Sequence, residues 1–108
     1  MIEQLPPPAL RDWLNDPSRP RPLLLDVREP WEYGLCRIAD SQSMPLNDLP
    51  QHCNELPRER DVVVICHHGV RSQHAAHFLE DAGFPRLYNL HGGIAAWAAQ
   101  VDPAMPRY

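Results

Sequence analysis

The chain contains no lysine; all ten of its basic residues are arginine. That excludes Schiff-base chemistry on a lysine and any phosphate loop that depends on one. Cysteine is scarce. Cys36, Cys53 and Cys66 are odd in number and form no C-x-x-C pair, so no disulfide framework is expected. No apolar run approaches the ~18 residues that a membrane span requires. The first residues, Met1-Ile2-Glu3-Gln4-Leu5-Pro6, have neither the basic nor the long apolar segment of a secretory signal. A net charge of −4 leaves no electrostatic footprint for nucleic acid. The expectation is a reduced, soluble, cytoplasmic protein with neither nucleic acid nor membrane as partner.

What is present is ordinary for a globular chain: 44% hydrophobic and 22% charged residues over 108 positions, with no repeat or linker. One domain spanning 1–108 is expected. Thirteen prolines punctuate it. Ile2 to Leu5 could form a short strand, and Pro7 or Pro8 suits the first position of a helix carrying Leu10, Trp13 and Leu14. Leu23-Leu24-Leu25 and Val62 to Ile65 are short continuous apolar runs, the pattern of strands covered on both faces. Pro30 could begin a brief helical turn, and a strand could end at Met44-Pro45. Leu46, Leu49, Cys53 and Leu56 form a helical stripe interrupted by Pro50. Ala75, Phe78, Leu79 and Ala82 predict the core face of a helix within Gln73–Ala82, capped by Gly83. Leu87 to Leu90 reads as a last strand, and Gly92-Gly93 leads into a last helix. This alternation predicts an α/β fold, a mainly parallel sheet with helices on both faces.

The most informative residue is Cys66. It ends the strand Val62–Ile65 and opens Cys66-His67-His68-Gly69-Val70-Arg71-Ser72, ahead of a helix. A thiol there faces the amides that begin the helix, whose partial positive charge favours an anion and hence a reactive thiolate. Gly69 allows a tight backbone turn, and Arg71 supplies a fixed charge and a planar fork. The plainer reading is a buried core cysteine, which leaves Gly69 and Arg71 unexplained.

Three segments, in order, resemble the single-domain rhodaneses, the thiosulfate sulfurtransferase-like proteins. They are Leu24-Leu25-Asp26-Val27-Arg28-Glu29-Pro30-Trp31-Glu32-Tyr33, the Cys66–Ser72 loop, and Leu90-His91-Gly92-Gly93-Ile94-Ala95-Ala96-Trp97. The resemblance implies a central five-stranded parallel sheet and a sulfurtransferase that works through a Cys66 persulfide. Cys66 is the expected catalytic residue, with His67, His68, Gly69, Val70, Arg71 and Ser72 around the substrate. The expected partners are a small anionic sulfur donor, thiosulfate or a persulfide, and a thiol, cyanide or protein acceptor. No cofactor and no metal is implied. The resemblance further implies that Arg71 supports the loop by pairing with an acid, for which Asp26 and Glu32 are the candidates. One stretch departs from the family pattern: Cys36-Arg37-Ile38-Ala39-Asp40-Ser41 stands where Gly-His-Ile-x-Gly-Ala is common, which puts the local turn in question.

Other readings compete. A sulfur carrier or regulatory module without turnover would also retain Cys66. Related phosphatases and arsenate reductases place five residues between cysteine and arginine; here there are four, a ring suited to a single sulfur atom. Cys66, His67, His68, His74 and His77 make a Cys/His-rich tract, but adjacent histidines are awkward co-ligands and solvated histidines are the better account. His67 could bear substrate charge if protonated or contribute only its amide; for His68 the second is favoured. Cys36 and Cys53 read as small core residues, and Trp13, Trp31 and Trp97 as core anchors.

Overall fold

The computed structural model describes residues 1–108. Strand β1 (Ile2–Leu5) is followed by helix α1 (Pro7–Leu14), β2 (Leu23–Asp26), α2 (Pro30–Leu35) and β3 (Gln42–Ser43). A 3₁₀ turn, helix α3 (Leu49–His52) and a second 3₁₀ turn lead to β4 (Val62–Ile65), α4 (Val70–Asp81), β5 (Leu87–Leu90) and α5 (Gly93–Gln100). The five strands form one parallel sheet in the order β1-β5-β4-β2-β3. No helix is long and apolar enough to cross a membrane.

Successive side chains of a strand point to opposite faces, and the two inner strands divide accordingly. Leu23, Leu25, Val62 and Val64 pack into one core with Leu49, Cys53, Ala75, Ala76 and Leu79 from α3, α4 and the turn between. Leu24, Val63 and Ile65 pack into the other with Leu10, Trp13, Ile94 and Trp97 from α1 and α5. Burial on both faces is why these strands read as unbroken apolar runs. Pro7 and Pro8 occupy the first turn of α1. Gly83 ends α4 in the left-handed region, φ 97°, and Phe84 N–H returns to the Leu79 carbonyl at 3.0 Å. Cys36 and Cys53 are both buried in the cores.

Three sequence expectations are corrected. Helix α4 starts at Val70, three residues before the predicted Gln73, because Gly69 at φ 95° turns the chain directly into it. Its buried stripe is Ser72, Ala75, Ala76 and Leu79, so Phe78 lies at the edge and is exposed. Trp31 is not a core anchor: it is 63% exposed, because the residue that α2 buries is Glu32. In the divergent segment Asp40 adopts φ 64°, the sole non-glycine at positive φ, at the position where the family commonly has glycine. Aspartate tolerates that region better than most residues, so the chain turns at Ala39 and Asp40 without a glycine.

All the strands run the same way, so their C-terminal ends gather on one edge. Asp26 ends β2, Cys66 follows β4 and His91 follows β5. Ligands of open parallel sheets bind at that edge.

Candidate active site

The β4-to-α4 connection closes a tight ring around the Cys66 sulfur. The sulfur is held by Gly69 N–H at 3.1 Å and lies 3.2 Å from Ser72 Oγ. Gly69 makes the approach possible. Its φ of 95° suits glycine, and a Cβ there would come within 3.2 Å of Gly92 N and 3.5 Å of the Leu90 carbonyl. Only the Gly69 amide, of the several expected from His67 to Ser72, is within bonding distance of the sulfur. The Cys66 side chain is buried, with 1% of the residue exposed.

The outer side of the ring is held by α5. Ile94 N–H donates to the Cys66 carbonyl at 2.9 Å and Ala95 N–H to the His67 carbonyl at 3.0 Å. Two orphan amides of a helix start are thereby satisfied, and two loop carbonyls are bound to α5. This explains Gly92-Gly93. A Cβ on Gly93 would sit 2.5 Å from both carbonyl oxygens, and one on Gly92 2.6 Å from Ala96 Cβ.

Asn89, on β5, orders the inner side. Its Nδ2 donates to the Gly69 carbonyl at 3.1 Å and to Gln4 Oε1 at 3.0 Å. A backbone carbonyl only accepts, so the amide orientation is fixed and Asn89 Oδ1 faces Ser72. The Ser72 hydroxyl then donates to Oδ1 at 2.5 Å. In that arrangement Ser72 Oγ offers the sulfur a lone pair, which suits a thiol. A thiolate or persulfide needs the hydroxyl to rotate and donate to sulfur instead.

Arg71, in the first turn of α4, makes no hydrogen bond to the sulfur. Its two terminal nitrogens bind the two oxygens of Glu32 at 2.6 and 2.8 Å. Of the two candidate acids, the structure therefore pairs Arg71 with Glu32. Glu32 also accepts from Glu29 N–H at 3.0 Å and from the Tyr108 hydroxyl at 2.7 Å. The Arg71 hydrogen bonds outweigh burial and hold the Glu32 carboxyl down to about 2. Asp26 belongs instead to Arg28, whose side chain is fully buried. Arg28 donates to both Asp26 oxygens, to the Cys36 and Glu32 carbonyls, and to Tyr108 Oη at 2.9 Å. Burial opposes its charge, but the Asp26 hydrogen bonds prevail and raise its pKa.

Tyr108 joins the two ion pairs, and burial pushes its hydroxyl up to about 12. Its ring stacks on His67 at 3.9 Å and meets Trp31 edge-on at 5.7 Å. Burial and neighbouring His68 push His67 below its ordinary value, which favours the neutral ring. His68 is exposed, and its ring lies 4.0 Å from that of His67. Val70 is exposed at the rim. The seven loop residues named from the sequence are thus in one place. Arg28, Tyr108, Asn89 and Gln4 were missed. Arg28 lies inside a recognisable motif, but nothing local marks Tyr108, Asn89 or Gln4, which come from distant parts of the chain. No group of His, Cys, Asp and Glu side chains is placed to hold a metal ion.

A ring of this kind can hold a sulfur nucleophile against a helix start. Comparison with known proteins points the same way. The sequence model of the rhodanese-like domain matches residues 7–100. A protein named sulfurtransferase from Allochromatium vinosum is 42% identical over 75% of this chain and 76% of its own length. The probable adenylyltransferase/sulfurtransferase MoeZ of Mycobacterium tuberculosis is 39% identical over 94% of the chain, which spans only 26% of that longer protein. The crystal structure of a rhodanese-related protein from Thermoplasma volcanium superposes with a TM-score of 0.82 at 30% identity, covering 92% of this chain and 93% of that one.

Proposed function

The chain belongs to the rhodanese-like domain family, and we propose that residues 1–108 act as one sulfurtransferase domain in which Cys66 carries the transferred sulfur as a persulfide. The observation that carries this reading is the sulfur of Cys66 held by the Gly69 amide at 3.1 Å within a closed loop at the C-terminal edge of the sheet.

The sulfur attacks the outer sulfur of a donor, thiosulfate or a persulfide. A new S–S bond forms as the donor's own S–S bond breaks, and sulfite or a thiolate leaves with the electron pair. Cys66 then bears one extra sulfur. A thiol, cyanide or acceptor protein attacks that outer sulfur and restores Cys66. Both states place negative charge inside the ring, where a preorganised amide and a rotatable hydroxyl stabilise it without reorganising the backbone. The Glu32–Arg71 pair keeps the start of α4 in register, so Arg71 is a positioning residue. Four residues between cysteine and arginine make a ring sized for sulfur, a reading supported by the close approach of Gly69 to the Cys66 sulfur.

The test is intact-mass measurement after separate incubation with thiosulfate and with glutathione persulfide. One added sulfur per chain is expected, absent in a folded Cys66→Ser variant, and thiocyanate formation from cyanide should vanish with it. An unmodified native protein with both donors, or full transfer by Cys66→Ser, sinks the reading. A carrier without turnover would take up the sulfur but fail to release it repeatedly to thiols.

A further inference from the structure

We infer that Asn89 is a positioning residue for the reaction: by taking the one proton of the Ser72 hydroxyl it holds the resting Cys66 sulfur as a thiol, and loading begins when that proton turns to the sulfur. This rests on the sulfur-transfer reading above and adds to it a residue that acts through Ser72.

A serine hydroxyl has a single proton to donate. Ser72 Oγ has two possible recipients, Asn89 Oδ1 at 2.5 Å and the Cys66 sulfur at 3.2 Å. Which of them receives the proton is decided on the far side of Asn89. Its Nδ2 carries two hydrogens, and both are taken, one by the Gly69 carbonyl at 3.1 Å and one by Gln4 Oε1 at 3.0 Å. A carbonyl cannot donate, so the amide cannot turn over without setting oxygen against oxygen. Gln4 is held in its turn, with Nε2 donating to Gln73 Oε1 at 2.6 Å. Oδ1 therefore stays on Ser72. Asn89, Ser72 and Cys66 are all buried, away from solvent that could replace a lost partner.

The two states of the sulfur make opposite demands on this chain of bonds. A thiol donates its S–H to Ser72 Oγ while Ser72 donates to Asn89, and every polar group is satisfied. A thiolate has no proton to give and gains from a second donor beside the Gly69 amide. Ser72 can be that donor only by leaving Oδ1 buried and unpaired, which is unfavourable. Asn89 thus opposes ionisation of the nucleophile, whereas the Gly69 amide favours it. As loading starts, the thiol proton passes to a base in solution. The Ser72 O–H turns from Oδ1 to the sulfur, and no covalent bond of Ser72 or Asn89 changes. With thiosulfate the exchange is Cys66–S⁻ plus thiosulfate giving Cys66–S–S⁻ plus sulfite. One S–S bond forms, one breaks, and sulfite leaves with the electron pair.

The test measures the rate of Cys66 loading by intact mass at neutral pH, with thiosulfate as probe, in variants whose folding is checked by circular dichroism and urea unfolding. Asn89→Leu removes both the acceptor for Ser72 and the donor to Gly69. Asn89→Asp removes the donor and keeps an acceptor. Asn89→Leu should load about threefold faster than native protein, and Asn89→Asp no faster than native. Loss of the brace on Gly69 alone would slow both alike. In a Ser72→Ala background Asn89→Leu should bring no acceleration, because the disputed proton is gone. A measurement on the native chain needs no variant: the side-chain carbonyl carbon resonance of Asn89 should move when Cys66 is loaded, as its Ser72 donor turns away. Folded Asn89→Leu loading at or below the native rate, equal rates for the two variants, acceleration that survives Ser72→Ala, or an Asn89 resonance unmoved by loading overturns the role of Asn89 and leaves sulfur transfer standing. Native protein that takes up no sulfur from thiosulfate or from glutathione persulfide overturns sulfur transfer itself, and the role of Asn89 with it.

Discussion

The two flanks of the Cys66 loop are made of different materials. On one side stand full charges: Asp26 with Arg28, Glu32 with Arg71, joined through Tyr108. These charged groups bond to one another and to backbone, not to the sulfur. On the other side Gly69, Ser72, Asn89 and Gln4 are neutral, and two of them touch the sulfur. A buried charge is tolerable only when paired. Once paired bidentately it has little left to offer a substrate, so it serves as scaffold. Neutral groups are cheaper to bury, and a hydroxyl can exchange donor for acceptor as the sulfur changes its own charge. The charged flank therefore governs stability, and the neutral flank governs chemistry.

The largest expected effect comes from stranding a charge. Arg28→Met leaves Asp26 buried without its partner, and breaking a buried pair costs about 3–5 kcal/mol. Urea unfolding should show that loss, and the double variant Asp26→Leu/Arg28→Met should recover much of it. If Arg28→Met unfolds at the native midpoint, the charged flank is not the scaffold.

Acid separates the flanks next. The folded Glu32 carboxyl is held at about 2 against an ordinary 4.5, a depressed value. Its contribution is present above 4.5 and is lost as pH falls towards 2, to the extent of about 3 kcal/mol if Glu32 acted alone. Glu32→Gln should flatten stability across that window, measured by urea midpoints at a series of pH values. A variant as acid-sensitive as the native protein would assign the dependence to other carboxylates.

The neutral flank should answer in rate. Ser72→Ala removes the hydroxyl beside the sulfur at a stability cost of about 1 kcal/mol. It should slow sulfur loading of Cys66 about tenfold, equivalent to ~1.4 kcal/mol of transition-state stabilisation. Loading at the native rate would mean that the Gly69 amide suffices. The smallest effect lies outside both flanks. Asp40→Gly relieves a left-handed residue at φ 64° and should stabilise by about 0.5–1 kcal/mol without altering sulfur loading. Thermal unfolding checks the first part and mass measurement the second; destabilisation would show that Asp40 has a partner worth more than the strain.

How much was legible in advance follows the range of each interaction. Proline positions, the apolar runs Leu23–Leu25 and Val62–Ile65, and Gly83 at the end of α4 encode local structure, and the sequence predicted those elements closely. Phe78 and Trp31 were misplaced because helical spacing gives a stripe but not its edges, and because α2 buries Glu32, an acid that composition would send to solvent.

By itself, then, the order of residues determined an alternating α/β chain with a cysteine at a strand-to-helix junction, because hydrophobic period, turn residues and helix starts are properties of neighbours in the chain. Only the tertiary structure decided that Arg71 takes Glu32 and leaves Asp26 to Arg28, that Tyr108 bridges the pairs, and that Asn89 orients Ser72 towards the sulfur. Those partners are 17 to 80 positions apart, save Asp26 and Arg28. They meet because parallel strands bring their C-terminal ends to one edge, and no local pattern records which side chains will face one another there.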